Sequence, residues 1–246
     1  MDLVVASDLH LDHVTRGVSR FDDLTKSLKE VECKVVKERA AFAFLGDLCD
    51  PDKNLSVARA QHAAISMALL LAQSGLDSHW LAGNHDVIED GSGATTLTPI
   101  RAVAEDEQMG VHVHVYERPE IGWFNDDWKF LALPFTALSH DYDPTEWVAK
   151  MLNDPTPFIV MSHLSVDGIV AGEETKEMPR GRNVLLPLGM LKARAGRTII
   201  LQGHFHERHI TPESLRGKDV IIPGSLGRLN FGEEKNDPGF LHLEIS

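Results

Sequence analysis

Five short stretches carry the side chains with chemical potential: Asp8-Leu9-His10, Gly46-Asp47-Leu48-Cys49-Asp50, Gly83-Asn84-His85-Asp86, a lone His163, and Gly203-His204-Phe205-His206. Taken singly, each has a structural explanation. Asp8 suits a helix N-cap, Asp47 a turn, Asn84 a left-handed position, His163 a hydrogen-bonded core site, and the H-x-H pair one water-facing side of a strand. Taken together they are a donor set of carboxylates, one amide oxygen and imidazoles, without thiolate. Such a set suits borderline divalent metals such as Mn²⁺, Fe²⁺, Zn²⁺ or Co²⁺. Seven candidate ligands (Asp8, His10, Asp47, Asn84, His163, His204 and His206) for four positions on each of two ions require one shared ligand. A carboxylate can serve, because its two oxygens hold cations about 3.5–4 Å apart. On composition alone, either Asp8 or Asp47 could bridge.

The stretches share a position. Each follows an apolar or alternating run: "DLVVAS", "AFAFLG", "SHWLAG", "PFIVMSH" and "TIILQGH". In an open α/β sheet, ligands collect beyond the carboxyl ends of the strands, so five strand ends would deliver these groups to one crevice. Further runs, "VHVHVY", "WKFLALP", "DVIIPGS" and "GFLHLEI", read as additional strands. Between the early strands lie helices. Leu24, Leu28, Val31 and Val35 repeat every three or four positions, and "NLSVARAQHAAISMALLLAQSG" has Asn54 or Ser56 as N-cap and Gly75 as stop. "LTPIRAVAEDE" places Thr98 as N-cap and Pro99 at the first helical position. Strands alternating with helices in the first half, then strand-rich sequence, predict a layered α/β fold with a mixed sheet. The loop-rich stretches "DVIEDGSGATT" and "SVDGIVAGEETKEMPRGRN" have the length of functional loops.

With 246 residues, 43% of them hydrophobic, the chain is expected to form a single domain spanning 1–246. Its longest apolar stretch, residues 63–72, is far shorter than the roughly 20 residues that span a bilayer, and no membrane helix is expected. "MDLVVAS" reads as a strand starting at once and not as a secretion signal. Cys33 and Cys49 form no disulfide framework, so a reducing cytoplasm is the expected location. The formal charge of −13 is uneven: residues 1–161 hold 13 Lys and Arg against 26 Asp and Glu, while residues 162–246 hold 11 of each. The excess carboxylates of the first part are in keeping with bound cations.

The series D-x-H, G-D-x-x-D, G-N-H-D, a lone His and G-H-x-H, in that order from Asp8 to His206, resembles the calcineurin-like metallophosphoesterases. The resemblance implies a layered α-β-β-α fold with mixed central sheets flanked by helices. It implies that Asp8, His10, Asp47 and His206 hold one metal, that Asp47, Asn84, His163 and His204 hold the other, and that Asp47 is the bridge. It also implies His85 as the catalytic histidine and Asp50 as the residue that orients it.

Within that superfamily, Pro51 after Asp50 and "LAGNHD" at the third motif depart from the Ser/Thr phosphatase pattern. "MSHLSVDGIVAGEE", "IIPGSLGRLNFGEE" and "KFLALPF" instead resemble SbcD-type DNA repair nucleases. That resemblance implies Mn²⁺-dependent exonuclease and endonuclease activity on DNA, an SMC-like ATPase partner and a homodimer formed through helices, with little or no C-terminal capping domain here. Residues 63–72 could serve such a dimer, but burial in the domain's own core is the expected fate of that segment. Arg180, Arg182, Arg208 and Arg228, with Arg228 foremost, are the candidates for DNA contact, an ordinary solvated surface being the alternative. Trp123, Phe124 and Trp128 near Asn125 could stack on bases or pack in the core. Two other functions remain open: hydrolysis of a small nucleotide diester or pyrophosphate on the same site, and a non-catalytic interaction module. The module reading is disfavoured because every ligand position and His85 are kept.

Overall fold

The computed structural model describes residues 1–50, 57–88, 92–106, 110–135, 142–166, 184–217, 219–229 and 231–245. Strands β1 (Asp2–Ala6), β4 (Ala41–Phe44), β5 (Ser78–Leu81) and β6 (Val113–Tyr116) run parallel. The antiparallel edge strand β12 (Leu241–Glu244) completes the first sheet in the order β12-β1-β4-β5-β6. The second sheet has the order β11-β10-β9-β8-β7, from β7 (Glu120–Trp123), β8 (Lys129–Leu133), β9 (Phe158–Ser162), β10 (Thr198–Gln202) and β11 (Val220–Ile221). Only β7 in it runs antiparallel.

Side-chain alternation along each strand sorts the layers. Val4 and Ala6 of β1, with Phe42 and Phe44 of β4, face a core shared with α1 (Phe21–Glu38), α2 (Val57–Gln73) and α3 (Thr98–Ala104). Leu3, Val5, Ala43 and Leu81 point the other way, against Phe130, Ala132, Met161 and Leu201 of the second sheet. The far face of that sheet, with Leu131, Leu133, Val160 and Ile200, packs on α4 (Pro144–Met151) and α5 (Leu188–Ala193). The result is the α-β-β-α layering. Each large side chain removed from water in these three cores contributes about 1.5–3 kcal/mol.

Several local expectations shift. Residues 63–72 lie in α2, where Ala64, Met67, Ala68, Leu71 and Ala72 are buried in the domain core and Leu70 faces outward. Gly75 ends that helix at φ 66°, where a left-handed residue is needed and glycine has no Cβ penalty. Asn54 and Ser56 lie outside the described residues. The α3 cap is Leu97 instead of Thr98, because the Thr98 hydroxyl accepts from Thr95 N–H at 3.1 Å and donates to Glu117. The second half is less strand-dominated than its sequence suggests, since α4, α5 and α6 (Pro212–Leu215) are too short to show a periodic signature. A small hairpin, β2 (Val14–Thr15) and β3 (Val18–Ser19), also escapes the pattern; its turn puts Arg16 and Gly17 at φ 49° and 82°. Among the described residues no helix is long and apolar enough to cross a membrane.

Candidate dinuclear metal centre

The carboxyl ends of β1, β4 and β5 from one sheet meet those of β9 and β10 from the other. The loops are stitched together by backbone: Asp8 N–H donates to Gly46 O (2.9 Å), His10 N–H to Asp47 O (3.0 Å) and Gly203 N–H to Ser162 O (2.9 Å). Glycine permits that approach. A Cβ on Gly83 would lie 2.1 Å from Asp47 Oδ1, and one on Gly203 would lie 2.3 Å from Leu45 O.

All seven predicted ligands converge there. Asp8, His10 and His206 form one group, and Asp47, His163 and His204 a second; in each, the donor atoms lie within 4.8 Å of one another. The groups touch through Asp47, whose Oδ2 is 3.7 Å from His10 Nε2 and 3.2 Å from His163 Nε2. Asn84 Oδ1 lies 3.1 Å from His163 Nε2 and 3.0 Å from His204 Nδ1, which places it in the second group. His206 Nε2 faces Asp8 Oδ1 at 3.7 Å. Asp8, Asp47, His163 and His204 are nearly or wholly buried, so the first histidine of the H-x-H pair does not face water, and no helix starts after Asp8 for it to cap.

The backbone is strained at the same place. Asp8, His10, Asp47 and His204 have φ of 52°, 41°, 63° and 75°, in the left-handed region where a non-glycine residue costs on the order of 1–3 kcal/mol. Four such residues among the donors indicate that the surrounding hydrogen bonds impose the geometry. Asp86 is the main restraint: its carboxylate accepts from Asp47 N–H (2.8 Å), Leu48 N–H (2.9 Å) and Gly83 N–H (2.8 Å) and from the Thr96 hydroxyl. Asp86 is visible in the G-N-H-D motif, but this role was missed from sequence. Asp12, whose Oδ1 accepts from Asp50 N–H at 3.1 Å, and Glu233, whose Oε1 lies 2.8 Å from His206 Nδ1, were also missed. The "FGEE" segment was visible as a motif; its contact with His206, 27 residues away in sequence, was not.

Electrostatics match the donor chemistry. Burial pushes Asp47 up, but His163, His85 and His10 together pull its carboxyl well below the usual range. Burial raises Asp8, partly offset by His163 and His206. Burial alone would lower His163, yet Asp47 and Asp8 hold it up at about 9. Burial and the neighbouring His163 push His204 down to about 3, keeping it a neutral donor. The field that keeps a proton on His163 is the field that would attract a cation. Two donor atoms, Asp8 Oδ1 and His10 Nε2, are buried without a hydrogen-bond partner among the described residues. Orphaned buried donors and acceptors are costly, and atoms aimed between paired carboxylates and imidazoles are relieved by a metal. The residues present fit two divalent ions.

Beside the donors, His85 Nδ1 lies 3.0 Å from Asp50 Oδ2, and the His85 ring sits 5.1 Å from that of His10. The His85 backbone N–H donates to Asp47 Oδ1 at 2.9 Å. His85 is partly exposed, so its ring can reach a ligand from the solvent side. Among the arginines considered for DNA, Arg208 donates to Pro223 O and Asp237, and Arg228 to Asn236 O. Arg180 and Arg182 lie outside the described residues. Phe124 and Trp128 are buried between the sheets, whereas Trp123 is 60% exposed with Lys129 Nζ over its ring.

Comparison with known proteins gives four findings. A family model described as calcineurin-like phosphoesterase matches residues 1–208. A dimetal phosphatase from Danio rerio has a similar structure, with TM-score 0.57 and 14% identity over 92% of this chain and 87% of its own. The calcineurin-like phosphoesterase YfkN from Bacillus subtilis is similar with TM-score 0.46 and 13% identity over 98% of this chain and 87% of its own. No curated protein matches. At 14% identity the likeness to the Danio rerio structure is one of fold.

Proposed function

The chain belongs to the calcineurin-like phosphoesterase family, and from that premise we propose that it is a two-metal phosphodiester hydrolase acting on DNA, of the SbcD type. The observation that carries the reading is the fused double donor group around Asp47 with the His85–Asp50 pair at its rim. Asp8, His10, Asp47 and His206 would hold one ion, and Asp47, Asn84, His163 and His204 the other, with Asp47 shared. When bound, the two cations supply the charge that acidifies water at neutral pH and offsets the negative phosphoryl oxygens during in-line attack.

The chain's own residues do the rest. Asp86 and the backbone stitches fix the donors before substrate arrives, so little reorganisation is left for the reaction. Asp50 accepts from His85 Nδ1–H and stabilises the imidazolium. That leaves Nε2–H to donate its proton to the departing ester oxygen, a general-acid role. The DNA specificity rests on the resemblance of "PGSLGRLNFGEE" and its companion stretches. Arg208 and Arg228, in the charge-balanced last third, would contact phosphates. Mn²⁺ is the metal of this reading, and an SMC-like ATPase and a second copy of the chain are its partners.

A second reading, hydrolysis of a small nucleotide diester or pyrophosphate, is favoured by the net charge of −13, which repels a polyanion. One assay separates them. Purified protein with Mn²⁺ is expected to degrade linear DNA, and Asp8→Ala to abolish it. Turnover of cyclic nucleotides with DNA left intact would transfer the site to the second reading.

A further inference from the structure

We infer that Glu233 is a positioning residue for the metal centre: it fixes the His206 ring in its Nδ1–H tautomer and so makes the Asp8/His10/His206 half dependent on the backbone at Leu229. The inference rests on the ligand assignment proposed above. Glu233 ends a 3-10 turn, Phe231–Glu233, and is only 6% exposed. Its two oxygens do different work. Oε1 lies 2.8 Å from His206 Nδ1, and Oε2 accepts from Leu229 N–H at 2.7 Å. A carboxylate only accepts, so the ring nitrogen that faces it must carry the proton. His206 Nε2 then presents its lone pair toward Asp8 Oδ1, 3.7 Å away. Histidine ligands are commonly oriented by such a partner, which also raises the basicity of the ring.

The two halves of the centre are held differently. In the other half, His163 Nδ1 is 2.5 Å from the main-chain carbonyl of Leu45, a neutral acceptor in a strand-end loop. The His206 half instead has an anionic acceptor behind its ring, Glu233, which ties it to the segment around Leu229. The same segment holds the β2–β3 hairpin, because Leu229 O accepts from the Thr15 hydroxyl at 2.7 Å and lies 2.9 Å from His13 Nε2. One carboxylate thus joins a metal-facing imidazole to the backbone that seats the hairpin.

Glutamine at this position tests the tautomer directly. Its amide has one acceptor for two donors, Leu229 N–H and His206 Nδ1–H. If the oxygen keeps Leu229, the NH₂ faces His206 and favours the Nε2–H tautomer, which removes the lone pair from the metal side. In metal-free protein, ¹⁵N imidazole NMR should find His206 as Nδ1–H in wild type and as Nε2–H in Glu233→Gln. Calorimetric titration with Mn²⁺ should find two ions per wild-type chain and one of the two weakened about 10–100-fold in Glu233→Gln. Glu233→Asp, which remains an acceptor, should keep the wild-type tautomer and supplies the readout if the glutamine variant does not fold. An unflipped ring with both affinities within twofold of wild type in Glu233→Gln, or a flipped ring in Glu233→Asp, overturns the inference. Absence of Mn²⁺ uptake by wild type would instead overturn the ligand assignment beneath it, while the ring's tautomer still reports on Glu233.

Discussion

At the scale of single residues, Asp47 has three partners on one carboxylate. Oδ2 faces His10 and His163, while Oδ1 accepts from the His85 backbone. It therefore fixes the spacing of the two donor groups and the position of the residue beside them. His85 belongs to a different class. Its ring is bound to Asp50 and stands at the rim, and its nitrogen Nδ1 is committed to that carboxylate. Replacing His85 by Ala should leave the metal content measured by elemental analysis at the wild-type level and cut turnover by about 10²-fold or more, the contribution expected of a general acid. Loss of metal in that variant would place His85 among the ligands.

At the scale of elements, the centre is a set of strand ends held in left-handed backbone, and Asp86 is what holds them. It ties the Asp47 loop after β4 to the Gly83 loop after β5 with three backbone hydrogen bonds and binds Thr96 before α3. Burial and the neighbouring Asp47 raise its carboxyl to about 6. Asp86→Ala leaves three buried N–H groups without an acceptor, each costing about 1–3 kcal/mol. Denaturant unfolding should show a loss of about 3 kcal/mol or more, with weakened metal uptake following because the loops relax from positive φ. An unchanged unfolding midpoint would mean that the strand ends hold themselves.

At the scale of the whole molecule, the two sheets press a polar ring between them. His79 of β5 stacks on Phe124 with 4.4 Å between ring centroids and on His114 with 4.7 Å, and its Nδ1 is 2.8 Å from the Tyr116 hydroxyl. Its Nε2 is buried without a hydrogen-bond partner among the described residues. Burial, with a smaller contribution from His114, lowers the His79 pKa well below that of a free histidine. The unfolded chain therefore takes up a proton that the folded one refuses. The associated stability is present above about 6.5 and is lost as pH falls, at up to about 1.4 kcal/mol per pH unit. His79→Phe should flatten the decline in stability between pH 7 and pH 5 in denaturant titrations. An equal slope in both proteins would show that other groups, such as His114, carry the dependence.

The fold class and the convergence of the seven candidate donors were legible because they are local signals. Each motif follows an apolar run whose alternation marks a strand, and the preference of Asp, Asn and His for turns is short-range chemistry. Composition alone left Asp8 and Asp47 equal as the shared donor and only the family resemblance pointed to Asp47, since the choice depends on which carboxylate lies between the two imidazole groups. Sequence could not see Glu233 behind His206 or Asp86 beneath Asp47, because those contacts join segments distant in the chain and depend on how the two sheets face each other. Phe124 and Trp128 show the same limit: an aromatic residue is equally suited to a base or a core, and only the closing of one sheet on the other assigned them to the interior.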